Sequence, residues 1–203
     1  MYVDGFNLYY GCLKGTPYRW LDLSRLCALL LPKNMINRIR YFTAPVQSRP
    51  NDPDQSTRQE MYLRALATIP NLSIHKGQFL THDVRATLVT PLPNGTRTVR
   101  VWKTEEKGSD VNIAAHLLMD GFQKDYEVAV VISNDSDLAT PLQMVRDTLH
   151  LPVGLLNPYP NPTSRLRQAT TFYKQIRAGA LQASQFPATL QDRQGPINKP
   201  ATW

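Results

Sequence analysis

The segment YEVAVVISNDSD, Tyr126–Asp137, decides the fold. Its apolar run, Val128–Ile132, has β-branched residues at four of five positions and is followed at once by a polar turn with two aspartates. This pattern predicts a buried parallel strand that ends in a loop. Asp135 and Asp137 then lie at the carboxyl end of the strand, where open α/β sheets bind their ligands.

The residues after this turn predict a helix. Apolar positions recur there at helical spacing, at Leu138, Leu142, Val145 and Leu149. Pro141 is tolerated because the amides of a first helical turn lack partners within the helix. Two interpretations of the aspartates stay open at this point: they bind a hard cation, or Asp137 only caps the helix while Asp135 only makes the turn.

The first residues of the chain repeat the pattern. The segment MYVDGFN, Met1–Asn7, is a short apolar strand that ends in Asp4, and Gly5 allows a tight turn. In a doubly wound sheet this strand and the one before Asp135 are neighbours at the point where strand order reverses. Only three residues precede Asp4, so the natural chain could begin upstream.

Composition indicates one globular core without a structural metal or disulfide framework. A chain of 203 residues that is 42% hydrophobic can bury a single full core. No apolar run is long enough to cross a bilayer and no cleavable leader is apparent, so we expect a cytoplasmic protein without a membrane partner. Cys12 and Cys27 lack CxxC spacing, and the four histidines are scattered, which argues against structural zinc and disulfides.

The charge balance fits a nucleic-acid partner but does not require one. The net charge is +7 and the pI is about 9.5. Residues 161–203 alone carry six Lys or Arg against one Asp. A basic body around a small acidic pocket is what a metal-dependent enzyme acting on nucleic acid needs.

The rest of the chain alternates strands and helices. Further strands are expected at residues 38–44, 72–80 and 151–156, and helices at 22–31, 57–69, 109–122 and 165–181. Thr57 and Glu60 have capping-box spacing. Ser109 is expected to cap the helix whose first turn carries Asp110, where the helix dipole favours a carboxylate.

Three further segments stand out from this alternation. A Pro-rich loop at residues 45–54, which contains Arg49, is expected to be mobile and near the mouth of the site. Asn94-Gly95 between alternating segments predicts a β-hairpin inserted at about residues 84–103. From residue 184 onward Gln, Pro, Asn and Gly dominate, so the tail is expected to be partly disordered.

An aromatic cluster near the N-terminus has two interpretations. It comprises Tyr9, Tyr10, Tyr18 and Trp20. These side chains either pack into the core or form a surface on which nucleic-acid bases stack.

Three motifs in series resemble the signature segments of NYN domains, the LabA-like branch of the PIN-like nuclease superfamily. They are VDGFNLYYG at residues 3–11, KGSDVN at residues 107–112 and SNDSDL at residues 133–138. The resemblance spans about residues 1–180 and leaves 181–203 as a tail. It departs from the usual pattern at Ala169-Thr170-Thr171, where such domains often have an acidic residue after the Ala.

The resemblance implies a fold, a cofactor and an activity. The fold is an α/β, PIN-like three-layer sandwich with a central, mainly parallel sheet. The activity is hydrolysis of RNA phosphodiester bonds with Mg²⁺ or Mn²⁺. By motif position the metal-binding, catalytic acids are Asp4, Asp110, Asp135 and Asp137. Asn7 is a polar neighbour of this pocket.

Electrostatics supports a cation independently of the resemblance. Like charges about 4 Å apart repel by roughly 4 kcal/mol at an effective dielectric near 20, so four aspartates cannot share a rim fully ionised without a counter-charge. Oxygen ligands without His or Cys favour Mg²⁺ or Mn²⁺ over zinc. The expected mechanism is in-line attack on phosphorus by metal-activated water, with a second ion stabilising the leaving oxygen.

Substrate contacts are assigned to Asn7, Lys107, Asn134 and Ser136. Lys107 either contacts the scissile phosphate or is a solvated charge beside Glu105 and Glu106. Glu106 is also a candidate for an additional metal ligand. Ser133 and Ser136 are interpreted as turn hydroxyls rather than nucleophiles, because no His is near either in sequence.

Two other functions compete with a ribonuclease. The same fold could serve as a module that binds RNA or a protein and has little or no RNA-cleaving activity. A homodimer is also compatible with the sequence. An aspartate-nucleophile phosphatase would need a general acid two residues after Asp4, but that position is Phe6.

Overall fold

Strands and helices alternate through most of the chain in the computed structural model, which describes residues 1–48 and 50–203. Arg49 of the predicted Pro-rich loop lies outside these residues. The strands are β1 Tyr2–Asp4, β2 Ile39–Thr43, β3 Leu72–Lys76, β4 Gln78–Thr87, β5 Thr98–Lys107, β6 Ala129–Ile132, β7 Val153–Asn157, β8 Phe172–Gln175, β9 Thr189–Asp192 and β10 Gly195–Asn198. The α-helices are α1 Gly5–Leu8, α2 Leu23–Leu30, α3 Gln55–Ala67, α4 Ser109–Phe122, α5 Ala139–Asp147, α6 Ser164–Ala169 and α7 Ala178–Ala183.

Six of the strands form one parallel sheet in the order β3-β2-β1-β6-β7-β8. Strand order reverses between β1 and β6, where Tyr2 is in register with Val131 and Val3 with Ile132. The prediction that the two aspartate-tipped strands are neighbours at this point is therefore confirmed.

Helices cover both faces of the sheet. Val130 and Ile132 of β6 pack into a core shared with α2 and α3, while Ala129 and Val131 pack into a second core shared with α4 and α5. Because successive strand residues point to opposite faces, a strand buried on both sides must be continuously apolar. The result is the predicted three-layer α/β sandwich. None of the described helices is long and apolar enough to cross a membrane.

The inserted hairpin is longer than its expected range of residues 84–103. β4 and β5 pair antiparallel from Gln78 and Lys107 to Thr87 and Thr98. The single strand predicted for residues 72–80 is in fact β3 followed by the start of β4, with Gly77 between them. The alternation of apolar Leu72 and Ile74 changes phase after Gly77, at Phe79, and a glycine within a strand pattern is the local signal of this junction. We call the β4–β5 hairpin the ribbon.

Two C-terminal expectations are wrong. The helix predicted for residues 165–181 is divided by β8, which pairs with β7 at the edge of the sheet. The tail is ordered as the hairpin β9–β10, with Ile197 buried and Asp192 paired with Arg64 of α3. Long-range pairing decides both outcomes, and local composition does not report it.

Helix starts also differ from expectation. α3 begins at Gln55 with Asp54 at its N-cap, so Thr57 and Glu60 do not form a capping box. Gly108 is the N-cap of α4, with φ of 103°, a conformation that favours glycine. Ser109 is the first residue of α4, and its hydroxyl donates to Glu106 Oε1 at 2.9 Å.

Candidate functional site

A pocket of about 520 Å³ opens at the carboxyl edge of the sheet, beside β1 and β6. Four carboxylates line it: Asp4 at the end of β1, Glu106 near the end of β5, Asp110 in the first turn of α4 and Asp135 after β6. We call it the acidic pocket. Three of the four predicted aspartates therefore converge there.

The ribbon explains how Asp110 reaches this edge. β3 ends at the carboxyl edge of the sheet, where the Gly77 N–H donates to the Thr43 carbonyl at 2.7 Å. The ribbon leaves from and returns to this point, so α4 begins beside it and runs back across the sheet. Further along α4, Asp120 accepts two hydrogen bonds from Arg40 of β2, at 2.7 and 2.8 Å, which fix the helix to the sheet.

Asp4 is buried, with 3% of its surface exposed, and its carboxylate is held by three donors. Oδ1 accepts from the Asn7 backbone N–H at 2.9 Å. Oδ2 accepts from the Asn7 side-chain amide at 2.7 Å and from the Ser133 hydroxyl at 2.9 Å. A carboxylate oxygen has two acceptor positions, so Oδ2 is satisfied and Oδ1 keeps one acceptor position.

The same polar residues position the β6 turn. The Ser133 hydroxyl accepts from the Asp135 N–H at 3.0 Å, and Asn7 Oδ1 accepts from the Asn134 N–H at 3.2 Å. Asp135 Oδ1 accepts from the Asp137 N–H at 2.9 Å, which is the turn that Asx residues favour. Asn7 and Ser133 therefore join the ends of β1 and β6.

The pocket carboxylates repel one another. Burial, together with the charges of Asp135 and Asp4, raises the pKa of Asp110 to about 6. Burial also raises the pKa of Asp4, and the Asp135 charge adds to that shift. No Lys, Arg or His lines the pocket among the described residues. The site thus concentrates negative charge that a bound cation would neutralise.

The donor set suits a hard divalent cation that keeps part of its water shell. All pocket ligands are oxygens, the donors that hard cations prefer. Within residues 1–48 and 50–203, no three His, Cys, Asp or Glu side chains are grouped closely enough to hold an ion together. One or two direct carboxylate bonds, with water linking the ion to the other acids, fit this arrangement.

Aromatic side chains form much of the remaining wall. Phe6, Tyr10 and Phe79 line the pocket, and Phe6 and Phe79 meet edge to face at 5.6 Å between ring centroids. Tyr10 is 51% exposed, while Trp20 is fully buried. The two interpretations of the aromatic cluster therefore divide between these residues: Trp20 belongs to the core and Tyr10 borders the site.

Four predicted site residues lie outside the pocket wall. Asp137 is exposed on the short 3₁₀ helix Ser136–Leu138, and Ser136 begins that helix. Asn134 Oδ1 accepts from the Thr163 N–H at 3.0 Å. Lys107 is exposed and pairs with Glu105 at 3.1 Å. Their contact with metal or substrate stays a prediction.

Part of the wall of the acidic pocket is not predicted by the local sequence pattern. The local pattern predicts Phe79 near the end of a sheet strand and not at the site. Its position, like that of Glu106, depends on where the ribbon folds back, and Phe79 and Glu106 are directly opposite each other there. The sequence signal for this part of the wall is Glu106, which lies four residues before Asp110 and directly before the KGSD motif.

A second cavity, of about 470 Å³, opens at the opposite edge of the sheet. Its wall includes two ion pairs, Arg40 with Asp120 and Arg38 with Asp125. In parallel sheets ligands bind at the carboxyl edge. We therefore place the candidate site at the acidic pocket.

Comparisons with known proteins give a family and a fold. A model of the NYN domain matches residues 1–177. The 6-hydroxy-3-succinoylpyridine 3-monooxygenase HspA of Pseudomonas putida (strain DSM 28022 / S16) is 31% identical over 232 residues, which cover all of this chain and 74% of that protein. A crystal structure of a protein of unknown function from Vibrio parahaemolyticus matches with a TM-score of 0.54 and 13% identity, over 91% of this chain and 94% of the other. This last likeness concerns the fold alone.

Proposed function

The chain belongs to the NYN domain family, and on this basis we propose that it is a metal-dependent ribonuclease that cleaves RNA phosphodiester bonds at the acidic pocket. The observation that carries the proposal is the convergence of Asp4, Asp110 and Asp135, from three separate elements, on one pocket. Their mutual repulsion needs a counter-charge, which a hard divalent cation provides.

The chain's residues have distinct roles in this proposal. Asp4, Asp110, Asp135 and Glu106 hold Mg²⁺ or Mn²⁺, directly or through water, with Asp137 at the rim. When bound, the ion would offset the phosphate charge and activate the attacking water. Asn7 and Ser133 keep Asp4 in place through the hydrogen bonds described above. Tyr10 offers an exposed ring to a base next to the scissile bond.

Cleavage of single-stranded RNA by the purified chain in Mn²⁺ or Mg²⁺ tests the proposal. Asp135→Asn is expected to lower the rate by at least about a hundredfold, since it weakens binding of the cation that stabilises charge at the reacting phosphate. Asp147→Asn, which changes an exposed carboxylate outside the pocket, is expected to leave the rate unchanged. Activity that survives Asp135→Asn or excess EDTA would contradict the proposal, and RNA binding without cleavage would favour the binding module.

A second candidate function comes from the relative named as a monooxygenase. The likeness extends over the whole chain at 31% identity, and the aromatic wall of Phe6, Tyr10 and Phe79 offers a surface for a small heteroaromatic ring. Such a reaction transfers one atom of O₂ to the substrate. The other atom leaves as water, using two electrons from a reductant and two protons.

Oxygen consumption separates the two candidates. The chain is incubated with 6-hydroxy-3-succinoylpyridine and a reduced nicotinamide cofactor as electron donor, and O₂ is followed with an electrode. A ribonuclease gives no substrate-dependent uptake. The ribonuclease assignment would be overturned in favour of oxygenation by two results from the same preparation. These are O₂ uptake that requires the pyridine, and the absence of RNA cleavage in Mn²⁺.

A further inference from the structure

One face of the ribbon continues directly from the acidic pocket. Residues opposite each other in an antiparallel pair share a face, and alternate residues change face. The pocket-lining ribbon residues, Phe79 with Glu106 and Thr81 with Thr104, are two successive pairs of the same face. We call this the pocket face.

Beyond the pocket, the pocket face presents an aromatic ring and then two arginines. The next pair is Asp83 with Trp102, and the pair after it is Arg85 with Arg100. Trp102 is 77% exposed, and the Arg100 side chain is 72% exposed. Four residues along a strand span about 14 Å, so the arginines lie about that far from the Thr81 row at the pocket wall.

The Arg85–Arg100 pair requires an explanation because like charges placed directly opposite in a sheet are destabilising. Asp83 pairs with Arg100 and offsets one of the two charges. On the other face, Glu105 pairs with both Lys103 and Lys107. These two bonds lower the pKa of Glu105 to about 2. Beyond the pocket wall, the pocket face thus carries two exposed arginines against one Asp, a net charge of +1, beside an exposed indole.

We infer that the pocket face of the ribbon is a binding track that leads single-stranded RNA into the acidic pocket. One base stacks on Trp102, and phosphates bind at Arg85 and Arg100. An aromatic platform next to cations is the arrangement that binds single strands, because every base has a π-face and every nucleotide has a phosphate. The inference rests on the proposed function, since the scissile bond defines where the track leads.

Binding measured without cleavage tests the track. The probe is a fluorescent twelve-nucleotide unstructured RNA, titrated with the full chain in EDTA and followed by anisotropy. Trp102→Ala is expected to weaken binding about tenfold, the loss of one stacked base. Val101→Ala, the neighbouring substitution on the other face, is the matched control and is expected to change affinity by less than about twofold.

Charge variants give an independent measurement. Arg85→Ala is expected to reduce the slope of log Kd against log salt by about 0.7, the loss of one phosphate contact on a single strand. Lys103→Ala removes a cation from the opposite face and is expected to leave the slope unchanged. Asp83→Asn is expected to tighten binding, a gain that misfolding cannot produce.

The outcomes separate the track from the activity. Reduced RNA binding by Trp102→Ala and Arg85→Ala supports the track even if the parent chain cleaves no RNA in Mn²⁺. Unchanged binding by both variants overturns the track even if the parent chain is an active ribonuclease. If these variants instead lower the molecular mass in solution without changing RNA binding, the pocket face is a contact between two copies, and the inference is wrong.

Discussion

At the scale of single residues, the Ser133 hydroxyl couples two of the pocket acids. It donates to Asp4 and accepts from the Asp135 N–H, and its residue is fully buried. A buried hydroxyl with two partners is costly to remove, because both partners then lose a hydrogen bond. Ser133 is therefore a positioning residue, in agreement with its interpretation as a turn hydroxyl rather than a nucleophile.

The raised pKa of Asp110 predicts a pH-dependent stability of the metal-free chain. Its pKa is about 6 in the folded state against 3.8 as the ordinary value, so the folded state holds the proton more tightly. The free energy of unfolding should therefore fall as pH rises from about 4 to about 6. After allowance for solvent screening of this half-buried group, Asp110→Asn should stabilise the chain by about 1 kcal/mol at pH 7.

Urea unfolding in EDTA at several pH values measures this effect. The advantage of Asp110→Asn over the parent chain should be present at pH 7 and should disappear near pH 4. Asp147→Asn is the control with the opposite sign, because its bonds with Arg146 hold the pKa of Asp147 below its ordinary value. A difference between Asp110→Asn and the parent that is constant over this pH range would contradict the prediction.

Local sequence predicted Asp4 and Asp135 more securely than Asp110. The first two follow short apolar strands, and the pattern of such strands fixes which edge of the sheet they reach. Asp110 begins a helix, and its place depends on a ribbon that leaves and re-enters the sheet beside Gly77. Only the resemblance to NYN domains grouped it with the others.

At the scale of elements, the β1–α1 junction requires a residue without a side chain. A Cβ at Gly5 would lie 2.6 Å from Tyr41 Oη and 2.8 Å from the Phe42 carbonyl oxygen. Gly5→Ala must therefore displace β2 or the first turn of α1, which begins directly after Asp4. We expect a loss of about 2 kcal/mol in stability, the usual cost of overpacking a core.

A second glycine provides the matched control. Gly179 lies within α7, and a Cβ there would meet no atom within 4 Å. Gly179→Ala should stabilise the chain by about 0.5 kcal/mol through helix propensity. Denaturant unfolding of both variants checks the pair, and a Gly5→Ala protein as stable as Gly179→Ala would show that the junction tolerates a side chain.

The elements that local patterns predicted poorly share a physical cause. β8, with sequence FYKQ, is an edge strand that is only partly buried, so it lacks the apolar run of β6. Its pairing with β7 supplies stability that its own composition does not indicate. Asn94-Gly95 predicts the ribbon, but the length of the ribbon depends on cross-strand pairs that continue to Gln78 and Lys107.

At the scale of the whole molecule, the C-terminal hairpin closes one side of the sandwich. Asp192 of β9 pairs with Arg64 of α3 at 2.8 Å, and Ile197 of β10 is buried in the core that α2 and α3 share. These partners are more than a hundred residues apart in sequence. A segment rich in Gln, Pro and Asn is ordered here because the rest of the fold provides its apolar contacts.

Trp102 of the ribbon and Trp203, which follows the C-terminal hairpin, allow the structural and binding roles to be separated. The Trp203 ring lies 5.7 Å from Tyr62 and 6.2 Å from Trp20 between centroids, and the Arg19 guanidinium is 5.7 Å from it. Trp203→Ala should therefore cost about 2 kcal/mol of stability through lost burial and aromatic contacts. Trp102→Ala, on the exposed ribbon, should change stability by less than about 0.5 kcal/mol.

The same two variants should exchange their ranking when RNA binding is measured. Trp203 packs against the core that α2 and α3 share and is not among the residues that line the acidic pocket, so Trp203→Ala should retain parental affinity at temperatures where it is folded. Urea unfolding followed by circular dichroism gives the stabilities, and anisotropy in EDTA gives the affinities. Loss of affinity in proportion to loss of stability in both variants would mean that Trp102 acts through folding. An unstable Trp203→Ala that binds RNA, together with a stable Trp102→Ala that does not, would assign the two tryptophans to separate roles.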